Sequence, residues 1–150
     1  AINEDTSFAY LVGGSNGCNG GLHIVDISDA LNPTQVGCFG DDGYTHDAHC
    51  VLYHGPDTAY VGREICFCSN EDTVTIVDVT DKTNPALVSR TSYEEKGYTH
   101  QGWLSTDHGY FVFGDETDEL GRGHNTRTLL FDVSDLQNPT NFQEYFASTL

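Results

Sequence analysis

The chain has 150 residues, with 6 Lys+Arg against 23 Asp+Glu and a formal charge of −17. Such a surface repels phosphate backbones, which excludes nucleic acid as a partner and argues against docking on anionic membranes. With 16 Gly, 8 Tyr and 8 Phe it is not an acidic disordered tail, and no apolar run reaches the roughly 18 residues that a membrane-spanning helix needs.

In chain order, residues 8–13 read as a short apolar strand that stops at Gly13-Gly14, and 15–21 as a Gly/Asn/Cys-rich hairpin tip. Strands follow at 22–27 and 35–39, then an Asp41-Asp42-Gly43 turn. The second unit reads as strands at 49–53, 58–64, 73–79 and 87–93. The third has them at 102–105, 110–116, 126–133 and 141–146. Val, Ile, Tyr, Phe and Thr dominate these runs and turn residues separate them. No segment carries a 3.6-residue apolar period, so helix is expected to be scarce.

One stretch recurs. Ile24-Val25-Asp26-Ile27-Ser28-Asp29 ending in Asn32-Pro33 returns as Ile76-Val77-Asp78-Val79-Thr80-Asp81 with Asn84-Pro85, and as Leu130-Phe131-Asp132-Val133-Ser134-Asp135 with Asn138-Pro139. The spacing is 52 and then 54 residues. Four antiparallel strands in about fifty residues is the arithmetic of a β-propeller blade. The expected architecture is therefore all-β, with units at 1–43, 44–97 and 98–150 of one propeller domain. Propellers use about 4 to 8 blades, so three units predict a fragment of a larger propeller. The acidic start, Ala1-Ile2-Asn3-Glu4-Asp5, does not read as a signal peptide.

The repeated Ile-Val-Asp-Val-Thr-Asp…Asn-Pro frame resembles the LVIVD-repeat β-propellers. Tyr44-Thr45-His46-Asp47-Ala48-His49-Cys50, Gly62-Arg63-Glu64-Ile65-Cys66-Phe67, Tyr98-Thr99-His100-Gln101-Gly102-Trp103 and Gly114-Asp115-Glu116 extend the likeness. They are similar to the choice-of-anchor B group of surface proteins. The resemblance implies a secreted or cell-surface propeller and no established reaction.

Five Cys with no Met suggest an oxidising compartment. In a blade, the start of strand 1 and the end of strand 2 share a rim, so the propeller reading pairs Cys18 with Cys38 and Cys50 with Cys66. Cys68 is left unpaired or intermolecular. Cys66-x-Cys68 lacks the spacer and the second cysteine pair of a zinc site.

The same rim is expected to gather polar groups. Aligning the Tyr-Thr-His segments makes His46 equivalent to His100 and His49 to Trp103, and aligning strand ends makes Glu64 equivalent to Glu116. His46, His49, His100, Glu64, Asp115 and Glu116 form a candidate set for a divalent metal, Ca, Zn or Mn. His46 and His49 are three apart, so a regular strand sends them to opposite faces. No Walker loop or G-x-G-x-x-G is present. The expected function is a binding or scaffold module at an extracellular or cell-surface location, with other proteins or surface glycans as partners. A metal-dependent hydrolase or oxidoreductase using the same rim, and a structural component that assembles with further copies, are the alternatives.

Overall fold

The computed structural model describes residues 1–15 and 17–148. Strands β1 (Ile2–Asn3), β2 (Phe8–Leu11), β3 (Leu22–Asp26) and β4 (Thr34–Phe39) form the first sheet in that order. The second sheet is β5 (Asp47–Leu52), β6 (Glu64–Ser69), β7 (Val74–Asp78) and β8 (Ala86–Thr91). The third is β9 (Thr99–Leu104), β10 (Tyr110–Asp115), β11 (Arg127–Asp132) and β12 (Thr140–Phe146). Every neighbouring pair is antiparallel. Helix among the described residues amounts to α1 (Asp118–Gly121) and a 3-10 turn at Cys18–Gly20. The all-β, four-strand blade expectation therefore holds, and the first strands β1, β5 and β9 stand beside one another.

Two apolar layers join the three sheets. Tyr10, Leu22, Ile24 and Phe39 of the first pack on Cys50, Cys66, Cys68, Val77 and Val79 of the second. Ile65, Phe67, Val74 and Ile76 of the second pack on Phe111, Phe113, Leu129 and Phe131 of the third. The middle sheet is covered on both faces, which is why β6 is buried at all six positions instead of alternating. In β11, of the third sheet, buried and half-buried positions alternate.

The repeated corner has a local cause. Asp26, Asp78 and Asp132 accept the backbone N–H of Ser28, Thr80 and Ser134 at 2.8, 2.9 and 2.9 Å. Asp29, Asp81 and Asp135 do the same with Leu31, Thr83 and Gln137. Side-chain donors hold five of these carboxyls below the usual carboxylate range; at Asp78 burial opposes the shift, and Thr80 and Arg63 outweigh it. Ser28 acts on Asp26, Asn32 on Asp29, Thr83 on Asp81 and Asn138 on Asp135, each with backbone N–H bonds adding to the effect. The corner also clips blades together. Ser89 Oγ donates to the Leu136 carbonyl at 2.6 Å. At the matching position of the first sheet, Gly37 is bare because the Lys82 carbonyl fills the space a Cβ would need.

Both expected disulfides are present, Cys18–Cys38 and Cys50–Cys66, and Cys68 is free and buried. Burial pushes the Cys68 thiol up, which keeps it protonated. The second bridge differs from expectation in position. Cys50 and Cys66 face each other in mid-sheet, with Cα atoms 4.0 Å apart, instead of meeting at a rim.

The reason is a misplaced strand. Residues 58–63, expected to lie inside a strand ending at Glu64, form turns in which Tyr60 N–H reaches the Asp57 carbonyl and Arg63 N–H the Tyr60 carbonyl. Gly62 turns with φ +81, and the strand begins only at Glu64.

Candidate functional site

The late start of β6 moves Glu64 to the other end of the blade. It faces Leu52 at the end of β5, while Asp47 at the start of β5 faces Ser69. Glu64 is 2% exposed, takes bonds from Asn3, Thr6 and the Tyr10 hydroxyl, and pairs with Lys82 at 2.9 Å. It ties the first sheet to the second, and the equivalence of Glu64 with Glu116 does not stand. Register gives the actual counterpart. Ile65 faces Asp78 as Tyr110 faces Asp132, and six residues on from each lie Glu71 and Glu116.

Asp115 is fully buried and its oxygens are occupied. They accept from Tyr93 Oη at 2.8 Å, Gly97 N at 2.6 Å, Tyr98 N at 2.8 Å and Thr117 N at 3.3 Å. This carboxylate folds the entry to β9. Beside it, Arg127 is 2% exposed and donates to Asp118 through Nε and Nη2 and to the carbonyls of Glu94 and Glu95. Burial opposes the Arg127 charge, yet Asp118 outweighs it and raises the guanidinium pKa. The acidic loop from Glu116 to Thr126 is therefore anchored from below.

The remaining residues meet where β5 and β9 begin. His46 Nδ1 lies 2.9 Å from the His100 carbonyl, and a carbonyl only accepts, so Nδ1 carries the proton. That tautomer leaves Nε2 with its lone pair, the state in which imidazoles ligate metals. The two imidazole centroids are 4.3 Å apart, and His100 Nε2 is 3.6 Å from Glu116 Oε2. Tyr98 stands edge-on to His46 at 5.5 Å, and burial, then its bond to the Glu71 side chain, raise its phenol pKa. A hollow of about 220 Å³ opens here, lined by His100, Gln101, Gly114, Asp115, Glu116 and Thr126. Among the described residues no three His, Cys, Asp or Glu side chains converge as a ready-made metal site.

His49 goes elsewhere, as the strand alternation requires. Its ring stacks on Trp103 at 3.8 Å, and its Nδ1 accepts the Leu104 N–H at 3.1 Å. Burial first, then the charge of His108, lowers its pKa from the usual 6.5 to about 4. His54 and His108 pack with tilted rings, centroids 3.7 Å apart, and are 54 residues apart, as His46 and His100 are. Three such rungs, the middle one His49 on Trp103, run from one end of the β5–β9 contact to the other.

Sequence reasoning missed Glu71 and the His54–His108 rung. Both were within reach of the 54-residue repeat and of a cross-strand placement of Cys50 and Cys66.

Residues 8–41 and 67–92 match the family model of the LVIVD repeat. The two segments cover β2–β4 of the first blade and most of β6 to β8 in the second. No curated protein matches the chain. The two LVIVD-like segments hold the corners Asp26–Pro33 and Asp78–Pro85, while the His-bearing entry to β5 lies between them. Two disulfides fit an oxidising compartment. No helix among the described residues is long and apolar enough to cross a membrane.

Proposed function

We propose that the three blades belong to one extracellular or cell-surface β-propeller domain of the choice-of-anchor B kind, working as a binding module at the rim formed by His46, His100 and Glu116. The observation that carries this reading is the His46 tautomer. With Nδ1–H held by the His100 carbonyl, Nε2 is presented as a fixed acceptor next to a second imidazole and an exposed carboxylate. Two imidazoles and one carboxylate suit a first-row divalent metal such as Zn or Mn better than Ca, which prefers all-oxygen sets. Glu116 is exposed and joins the set by a side-chain rotation. His49, Glu64 and Asp115 from the original six take no part, since each is committed to a stack or to buried hydrogen bonds.

Calorimetric titration of the chain with Zn²⁺, Mn²⁺ and Ca²⁺ tests this. One site is expected for the transition metals, weakened by at least about tenfold in His46→Ala and in His100→Ala, with His54→Ala unchanged. Heat that is absent, or that persists in both rim variants, refutes the reading.

A further inference from the structure

We infer that a cleft between the second and third blades is a binding site for a neutral saccharide. It is built by a feature of one blade. Eleven residues (53–63) join β5 to β6, where five (105–109) join β9 to β10 and four (4–7) join β1 to β2. Additions confined to one repeat map to loops on one face, and such loops on a rigid scaffold are where binding groups concentrate. The longer turn lies against the Asp135–Pro139 corner of the third blade and leaves a hollow of about 350 Å³ between them. That volume falls within the roughly 300–1,000 Å³ of small-molecule sites. The cleft is at the opposite end of β5 from His46, so it is independent of the metal rim.

The walls are fixed before any ligand arrives. Asp57 Oδ1 accepts the Ala59 N–H at 3.2 Å and Oδ2 the Leu136 N–H at 3.0 Å, while Gln137 Nε2 donates to Tyr60 Oη at 3.0 Å. These bonds seat the loop on the corner, so little ordering is left to oppose binding. What the walls offer selects the ligand. Asp57, Asp135 and Gln137 present acceptor oxygens, and each carboxylate oxygen holds one bond and keeps a lone pair for another. Thr58, Tyr60 and Ser134 add hydroxyls, and Pro56 and Ala59 an apolar strip. None of the lining residues is Lys, Arg or His, so phosphate, sulfate and carboxylate groups find no counter-charge. A sugar ring matches the set: its hydroxyls donate to the carboxylate and amide oxygens while its C–H face lies on the proline and alanine. An ammonium ion would use the carboxylates alone, and Asp135 is exposed and Asp57 only half-buried, too wet to hold it firmly.

Nuclear magnetic resonance titration of the isotope-labelled chain with glucose, galactose, mannose and N-acetylglucosamine, each to about 50 mM, tests the site. At least one sugar is expected to shift the amides of Thr58, Ala59 and Gln137 saturably. Thr58→Val and Gln137→Leu, both at exposed positions, are each expected to weaken that sugar by about fivefold or more, with the rest of the spectrum preserved. His100→Ala at the metal rim leaves sugar binding unchanged, so the two sites stand or fall separately. Absence of saturable shifts with every sugar overturns the proposal, as does binding indifferent to both substitutions. Methylammonium held at the same amides more tightly than any sugar overturns it too, and makes the cleft a cation site.

Discussion

Protonating His49 places a cation against the face of Trp103, and a stacked imidazolium quenches indole emission. The native chain resists that proton. Nδ1 is the acceptor for Leu104 N–H, so protonation there breaks a hydrogen bond, and the ring is half-buried beneath the indole. The folded pKa of about 4 against the usual 6.5 is the result, with burial the first cause and the nearby His108 the second. The sign follows from proton binding. Between pH 6.5 and about 4 the unfolded chain takes up a proton that the folded chain refuses, so stability falls as pH falls through this window. At about 1.36 kcal/mol per unit, the gap amounts to roughly 3 kcal/mol. Solvent reaching the half-buried ring screens this to about 1–2 kcal/mol. The assay is a pH titration of Trp103 emission in wild type and in His49→Asn, whose amide oxygen replaces Nδ1 as acceptor. Quenching is expected with a midpoint near 4 in wild type and absent in the variant. Urea unfolding is expected to show the wild type losing about 1–2 kcal/mol more than His49→Asn between pH 7 and pH about 4. A midpoint at the ordinary histidine value, or equal losses in both proteins, refutes the reasoning.

Two further substitutions test the corrected roles of buried charges. Glu64→Ala strands Lys82 and three donors at the joint between the first two blades, and should cost about 3–5 kcal/mol in urea unfolding; a loss below 1 kcal/mol, the size of an exposed pair, would return Glu64 to the surface. Arg127→Met removes the anchor under the loop from Glu116 to Thr126, leaving Asp118 buried without its cation; limited proteolysis is expected to cut this loop first, and wild-type cleavage kinetics would contradict the anchoring.

Much of the fold was legible because its signals are local. An Asp that bonds the N–H two residues on needs nothing outside its own turn, so three corners with one spacing announced three blades before any packing was known. The equivalence of His46 with His100 and of His49 with Trp103 followed from the 54-residue repeat, and the contact within each pair is a tertiary finding. Glu64 failed for a non-local reason. The turn after Pro56 extends to Arg63, because Tyr53 binds the Arg63 carbonyl and Gly62 admits a positive φ, and no local pattern announces that length. Asp115 failed differently, since its neighbours Gly97, Tyr98 and Tyr93 reach it only once β9 lies beside β10.

By itself the sequence determined the repeat, the corner chemistry, the strand content and, through the blade reading, the cysteine partners. Tertiary structure alone decided which carboxylates are buried as joints and which remain at the rim. Strand side chains alternate with period two, so loop length and contacts between blades set the end and the face on which each residue emerges. That is why Glu64 became a joint while Glu71 and Glu116 stayed with the histidines.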